Sequence, residues 1–299
     1  MITVLAVLCL MAAILVVWAA WIEPRRIVIK RHEMPLDHLE QPMTAVIVGD
    51  IQPNRFHWPT ERLAELFGRL SEAEAPDLVL WLGDYYNAHT DKTKLLLDAA
   101  PRLRRQVDRH LLSMREIADA MAFLRGRLAS VAVLGNHDWA WSGTETAREL
   151  ARVDITVLMD DILSLEDPET GAAVQILGYE DLSSGRMPAF AALHARLAPH
   201  VATLSLSHSP DAFPDSQGGA PLMISGHTHG GQVRLPFLGP ILLPITHQRF
   251  DRGWFVDGAR HLFVTSGMGT SLPPLRFLVP PEVVILRLVP ARKKENEHG

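Results

Sequence analysis

Five short apolar segments of this chain each end in side chains that can bind a metal ion, and this pattern restricts the fold more than any other feature. Each segment is rich in β-branched and aliphatic residues, which predicts a buried strand. The polar ends are Asp50 in VIVGD, Asp84 in LWLGD, Asn136, His137 and Asp138 in LGNHD, His208 in SLSH, and His227 and His229 in SGHTHGG. Because binding sites in α/β sheets form beyond the carboxyl ends of strands, we expect these side chains to meet in one place.

Stretches with helical periodicity separate most of these strands, so we predict an α/β protein of layered sheets and helices. Apolar residues three or four apart predict helices over residues 60–70, 101–125, 144–153 and 187–198. A strand pair is predicted over residues 155–179, with its turn at residues 168–171. The mixed segment 23–43 is interpreted as a linker with a short strand at 27–29, and the tail 291–299 as disordered.

The first 22 residues differ from the rest of the chain. Residues 2–22 are apolar and uncharged, and as a helix they would span roughly 30 Å, the thickness of a bilayer core. No basic side chain precedes them and AAW at 19–21 is a poor cleavage site, which favours an uncleaved transmembrane anchor over a signal peptide. The basic residues that follow are Arg25, Arg26, Lys30 and Arg31. In a bacterial-type inner membrane they favour an orientation with the main domain in the cytoplasm.

Charge and cysteine content narrow the classes of function. The formal net charge is −5 and the pI is about 6.3, whereas proteins that bind nucleic acid are more often basic. Nucleic acid is therefore a disfavoured partner. Cys9 is the one cysteine, so the chain forms no internal disulfide, and its remaining residues offer no thiol for catalysis or zinc binding. The oligomeric state leaves no signal in the sequence.

The side chains at the strand ends form a donor set for transition-metal ions. Carboxylate, amide oxygen and imidazole suit Mn, Fe, Zn or Ni when thiolates are absent. Alternation along an extended chain puts residues i and i+2 on one side, so His227 and His229 can each reach a different ion. Singly, an aspartate after a strand is often a helix cap, and Asn-His-Asp is commonly a turn. Their common order and position instead indicate one site with two metal ions.

The series GD, GD, GNHD, H and GHTH closely resembles the calcineurin-like metallophosphoesterase family. The stretches GHTHGGQVRLPFLGP and GMGTSLPPLRFLVPPEVVIL resemble its membrane-associated YaeI/YkuE-like branch. The resemblance covers residues 44–290 and implies a four-layer αββα sandwich behind the N-terminal transmembrane helix. It also implies two divalent cations, among which Mn is favoured.

The resemblance implies a role for each residue of the site. Its metal ligands are Asp50, Gln52, Asp84, Asn136, His208, His227 and His229. In such a site Asp84 bridges the ions, the first ion takes Asp50 and His229, and the second takes Asn136, His208 and His227. His137 then contacts the substrate phosphate and protonates the leaving oxygen, while Asp138 orients His137.

Gln52 departs from the family pattern, which has Asp-x-His at this place. Three interpretations stay open. The neutral amide oxygen of Gln52 could bind the first ion and shift its preference toward harder ions such as Mn. Gln52 could instead hold a water molecule on that ion. Alternatively His57 or His89 could replace the missing imidazole.

The expected chemistry is hydrolysis of a phosphodiester or pyrophosphate bond. Two cations lower the pKa of a shared water, and the resulting hydroxide attacks phosphorus in line. A membrane anchor favours a lipid-linked or nucleotide-linked substrate, because tethering raises its effective concentration. Some relatives act on UDP-diacylglucosamine, which reaches this chain by analogy alone. The alternatives are a non-catalytic, metal-stabilised binding module at the membrane and a nuclease.

Three further segments have a functional and a structural interpretation. The arginines in residues 101–125 could engage an anionic head group, or form a solvated helix face. The apolar segment 232–245 could line an acyl-chain groove or touch the bilayer, or be a buried loop. Residues 267–271 could offer backbone N–H groups to phosphate, or form a tight turn.

Overall fold

The computed structural model describes residues 1–88, 95, 97–185 and 187–291. Its helices are α1 (Ile2–Val17), α2 (Thr60–Glu74), α3 (Pro101–Asp108), α4 (Met114–Met121), α5 (Asn136–Trp141), α6 (Gly143–Ala151) and α7 (Phe190–His194). Its strands are β1 (Val28–Leu36), β2 (Met43–Val48), β3 (Leu78–Trp81), β4 (Ala129–Ala132), β5 (Thr156–Val157), β6 (Asp161–Glu166), β7 (Ala173–Gly178), β8 (Ala202–Ser207), β9 (Leu222–Ser225), β10 (Arg234–Leu235), β11 (Gly239–Pro240), β12 (Gly253–Asp257), β13 (Arg260–Val264) and β14 (Glu282–Pro290).

Two six-stranded sheets carry the fold. The first has the order β1-β14-β2-β3-β4-β5, and the second the order β12-β13-β9-β8-β7-β6. Strands β2, β3 and β4 are parallel, as are β7, β8, β9 and β13. Parallel strands send their carboxyl ends to the same edge, so the loops after five of the predicted strands converge.

The two sheets pack face to face and helices cover their outer faces. Ile47 and Leu80 of the first sheet share one fully buried core with Leu204 and Ile224 of the second. A second core joins α2 and α4 to the opposite face of the first sheet, and a third packs α7 and the loop at 243–250 on the second sheet. This arrangement confirms the predicted αββα sandwich.

Three element predictions are corrected by the structure. The linker predicted at 23–43 contains the nine-residue strand β1, which pairs in parallel with β14 at the edge of the first sheet. The single helix predicted over 101–125 is two, because the Ser113 hydroxyl accepts from the Glu116 N–H at 3.2 Å and starts a new helix. The helix at 187–198 is reduced to α7. The predicted tail lies outside the described residues from 292 onward.

An apolar helical span, Thr3–Arg25, has a mean hydropathy of 2.7 and none of its most apolar window is buried. Its length and composition fit a membrane span and also a signal sequence. The end of this span is hydrogen-bonded to the sandwich. The carbonyl of Ala19 accepts from the Arg276 N–H at 2.8 Å, and the Glu23 carboxylate accepts from the Val279 N–H at 2.6 Å.

Candidate metal centre

The predicted site residues follow the carboxyl ends of β2, β3, β4, β8 and β9, as the sequence implied. Several of them adopt a backbone conformation that side-chain-bearing residues seldom take. The φ angles are +50° at Asp50, +30° at Gln52, +55° at Asp84, +69° at His227 and +50° at His229. Such conformations are unfavourable and concentrate at functional sites, where the surrounding structure enforces them.

One group of donors converges around the His208 imidazole. Its Nε2 lies 3.0 Å from His227 Nδ1, 3.1 Å from Asn136 Oδ1 and 3.5 Å from Asp84 Oδ1. The Nδ1 of His208 donates to the Leu82 carbonyl at 2.7 Å, which leaves Nε2 to bind an ion. This is the donor set predicted for the second ion.

A second group brings Asp50, Asp84 and His229 together. His229 Nε2 lies 3.7 Å from Asp50 Oδ1, and all three side chains are buried. Asp84 belongs to both groups, and within each group the carboxylate and imidazole ligand atoms lie within 4.8 Å of one another. One shared carboxylate between two donor groups is the arrangement of a two-metal site.

The electrostatics of this pocket favour a bound cation. Burial raises the pKa of Asp50, as does the neighbouring Asp84, to about 7. Burial by itself would lower the pKa of His208, but the negative charges of Asp84 and Asp50 outweigh this effect and raise the pKa to about 9. Burial, together with Arg276, holds the pKa of His229 well below its usual value, which keeps that imidazole neutral and able to bind metal.

Gln52 is buried and only half satisfied. Its Nε2 donates to Asp84 Oδ2 at 2.8 Å, and its Oε1 has no hydrogen-bond partner among the described residues. A buried oxygen without a hydrogen-bond partner destabilises the fold unless a group outside the chain, such as an ion or a water molecule, satisfies it. The residues therefore fit a metal ion, or a water on one, beside this oxygen. His57 belongs to neither donor group: its Nε2 bonds the Ala20 carbonyl at 2.9 Å, and its Nδ1 is buried without a partner among the described residues. His89 lies outside the described residues.

Glycines let these loops pack tightly around the carboxylates. A Cβ on Gly135 would lie 2.3 Å from Asp84 Oδ1, and one on Gly267, which has a φ of +65°, would lie 2.6 Å from Asp50 Cβ. The 267–271 loop does not present a row of N–H groups to phosphate, since Met268 and Gly269 donate to the carbonyls of Gly49 and Asp50 at 3.0 and 2.6 Å. Of the two interpretations of this segment, the structure supports the tight turn.

The predicted pairing of His137 with Asp138 is wrong. His137 Nδ1 bonds the Ala88 carbonyl at 2.5 Å, so that carbonyl orients the ring, while Nε2 lies 4.0 Å from Asp84 Oδ2. Asp138 instead accepts four backbone N–H bonds at 2.8–3.1 Å. Their donors are Asp84, Tyr85, Tyr86 and Gly135. Asp138 thus clamps the loops after β3 and β4 together.

Sequence reasoning missed Arg276, which is completely buried beside His229. Its guanidinium donates to the carbonyls of Gly269, Ser266, Gly267 and Val279 at 2.8–3.2 Å. One Nη lies 3.5 Å from His229 Nδ1. Burial lowers the pKa of Arg276 to about 10, so it remains a cation at neutral pH. The apolar run LPPLRFLVP around it gave no sign of this role.

Comparison with known proteins points to one family. The calcineurin-like phosphoesterase profile matches residues 43–231. The uncharacterised metallophosphoesterase YkuE of Bacillus subtilis is 34% identical over 169 residues, 55% of this chain and 58% of that protein. The phosphodiesterase YaeI of Escherichia coli is 30% identical over 254 residues, 83% of each chain. A solved dimetal phosphatase from Danio rerio aligns over 77% of this chain and 88% of its own, with a TM-score of 0.41 and 14% identity.

Proposed function

The chain belongs to the calcineurin-like phosphoesterase family and is a metal-dependent phosphoric ester hydrolase; we propose that it cleaves a phosphodiester or pyrophosphate bond in a lipid-linked or nucleotide-linked substrate at a membrane. The observation that carries this proposal is the pair of donor groups that share Asp84. Two bound cations would polarise the phosphoryl oxygens and make a water molecule acidic enough to act as the nucleophile.

The residues of the chain would bind the two cations, contact the phosphate and transfer a proton. Asp50 and His229 would hold the first cation, and the unpartnered Gln52 Oε1 would be satisfied by that ion or by a water on it. Asn136, His208 and His227 would hold the second. His137 Nδ1 is engaged by the Ala88 carbonyl, so Nε2 is the atom that contacts the phosphate and delivers a proton to the leaving oxygen. Mn is the favoured cation, because the neutral oxygen of Gln52 is a harder ligand than imidazole.

A membrane location supports the choice of a lipid-linked substrate. The guanidinium of Arg25 lies 3.2 Å from the centroid of the Trp21 ring, and that of Arg26 lies 5.4 Å from that of Trp18. Aromatic and basic side chains at the end of an apolar helix are typical of the lipid–water interface and favour a cytoplasmic domain. The relative YaeI is named a phosphodiesterase. A UDP-diacylglucosamine-like substrate remains a proposal by analogy.

The experiment uses the full chain in detergent, because Ala19 and Ala20 are bonded to the sandwich. The protein is stripped of metal and titrated with Mn, while hydrolysis of bis(p-nitrophenyl) phosphate and of p-nitrophenyl phosphate is followed. We expect Mn-dependent cleavage of the diester, faster than of the monoester, and its loss in His137→Ala. A folded protein that binds Mn and cleaves neither compound would instead indicate a binding module.

A further inference from the structure

Residues 235–242, here called the apolar hairpin, read LPFLGPIL and carry no charge. Strands β10 and β11 pair to form this hairpin, with its turn at residues 236–238. Large apolar side chains point into solvent, with Phe237 fully exposed, Leu238 80% exposed and Leu242 75% exposed. Soluble proteins seldom expose a contiguous apolar patch without using it.

At the tip of the apolar hairpin, the bulky and exposed Phe237 has an unfavourable backbone conformation. Phe237 has a φ of +66°, a left-handed conformation that a residue with a large side chain rarely adopts. Neither this strain nor the exposed ring has a compensating contact within the described residues. Both are accounted for if the ring leaves water for another apolar phase.

Hydrogen bonds tie the base of the apolar hairpin to the end of the N-terminal helix. The Arg234 N–H donates to the Phe277 carbonyl at 2.9 Å, and the Phe277 N–H donates to the Gln232 carbonyl at 3.0 Å. The neighbouring Arg276 N–H donates to the Ala19 carbonyl at 2.8 Å. Two adjacent residues therefore connect the apolar hairpin to the apolar helix, so the two cannot move far apart.

The same hairpin is joined to the metal centre at both ends. The chain enters it six residues after His229, through residues 230–234. It leaves through Pro244, whose carbonyl accepts from His227 Nε2 at 3.1 Å. The metal centre therefore lies close to the surface that the apolar hairpin contacts.

We propose that the apolar hairpin inserts into the same lipid bilayer as the N-terminal helix and thereby holds the metal centre at the membrane surface. The occupant is lipid because the exposed residues are uniformly apolar and uncharged, and because hydrogen bonds join the base of the hairpin to the end of an apolar helix whose window is wholly exposed. The inference rests on the membrane location in the proposed function.

The direct test places one fluorophore on the full chain in phosphatidylcholine–phosphatidylglycerol vesicles. Cys9→Ser removes the native thiol, and Leu238→Cys is labelled with an environment-sensitive dye. The matched control is Phe123→Cys, because Phe123 is an apolar residue that is 57% exposed and lies before β4, at the sheet end opposite the metal centre. We expect blue-shifted emission and quenching by brominated acyl chains at position 238, and neither at position 123.

Two results would overturn the proposal. A dye at 238 as accessible to aqueous iodide as the dye at 123 would show that the hairpin stays in water. A dye shielded from iodide but not quenched by brominated lipid would show contact with protein, for instance a second copy of the chain.

A functional arm separates this proposal from the proposed function. The double variant Phe237→Asp, Leu238→Asp is expected to cleave bis(p-nitrophenyl) phosphate like the wild type. Its cleavage of a phosphodiester lipid in vesicles should fall about tenfold or more, a factor typical of losing the burial of one large apolar side chain. Equal loss on both substrates would contradict a membrane role. Lack of turnover by the wild type, with quenching still seen at 238, would refute only the proposed function.

Discussion

Asp138→Asn tests whether this carboxylate clamps the loops or serves His137. In the wild type each carboxylate oxygen accepts two backbone N–H bonds: Oδ2 from Asp84 and Gly135, Oδ1 from Tyr85 and Tyr86. An amide keeps one acceptor oxygen and turns its NH₂ toward the other pair of donors. Two buried N–H groups then lose their partner, at about 1–3 kcal/mol each. We therefore expect a loss of about 2–6 kcal/mol of stability.

The assay is urea unfolding of the metal-free full chain in detergent, followed by circular dichroism. Asp119→Asn is the control, because Asp119 pairs with Arg152 on the surface with its side chain 55% exposed. Such pairs contribute about 0–1 kcal/mol. The reasoning would be refuted if Asp138→Asn unfolded like the wild type while the pH dependence of hydrolysis shifted, since that would make Asp138 the partner of His137.

Three further predictions follow from the same contacts. Gln52→His should raise the affinity for Zn²⁺ more than that for Mn²⁺ in calorimetric titrations, because imidazole is the softer ligand; an unchanged ratio would show that residue 52 touches no metal. Gly267→Ala should lower the affinity for Mn²⁺, because the added Cβ would strike Asp50. Its control is Gly258→Ala, which also has a positive φ but has open space around the added Cβ, and which should lose only about 1–2 kcal/mol of stability. In Glu282, burial raises the pKa, but Lys30 and the bonds from Ser266 and Thr265 hold it below its usual value. The depressed pKa means that ionised Glu282 stabilises the fold above about pH 4.3, and this stabilisation is lost as the pH falls. The free energy of unfolding should therefore decrease less between about pH 5 and 3 in Glu282→Gln than in the wild type.

The polar ends of the strands were predictable because parallel strands deliver their next residues to one edge. Asp50 and Asp84 follow apolar runs whose burial is obvious from composition, and both occupy the expected place. The separate partners of His137 and Asp138 were not predictable, since they depend on side-chain direction at the start of α5. There Asp138 faces back toward the backbone of the β3 loop, while His137 turns to the Ala88 carbonyl.

The errors in the outer parts of the fold have similar causes. Edge strand β1 has alternating burial and includes polar residues, so its segment resembles a linker until its partner β14 is known. The break between α3 and α4 was signalled by SMRE at 113–116, a capping box within an otherwise helical periodicity. Arg276 could not be found, because its role comes from carbonyls that only the folded loop brings around it.

The central claim is that Asp84 joins two cations into one hydrolytic centre, and metal stoichiometry measured together with turnover tests it most directly. The full chain is stripped, reloaded with Mn²⁺ and analysed for bound metal and for bis(p-nitrophenyl) phosphate cleavage, beside Asp84→Asn. The account predicts two ions per active wild-type chain, and loss of bound metal and of cleavage in Asp84→Asn. Full cleavage with a single ion, or an Asp84→Asn variant that keeps both ions and its activity, would contradict it.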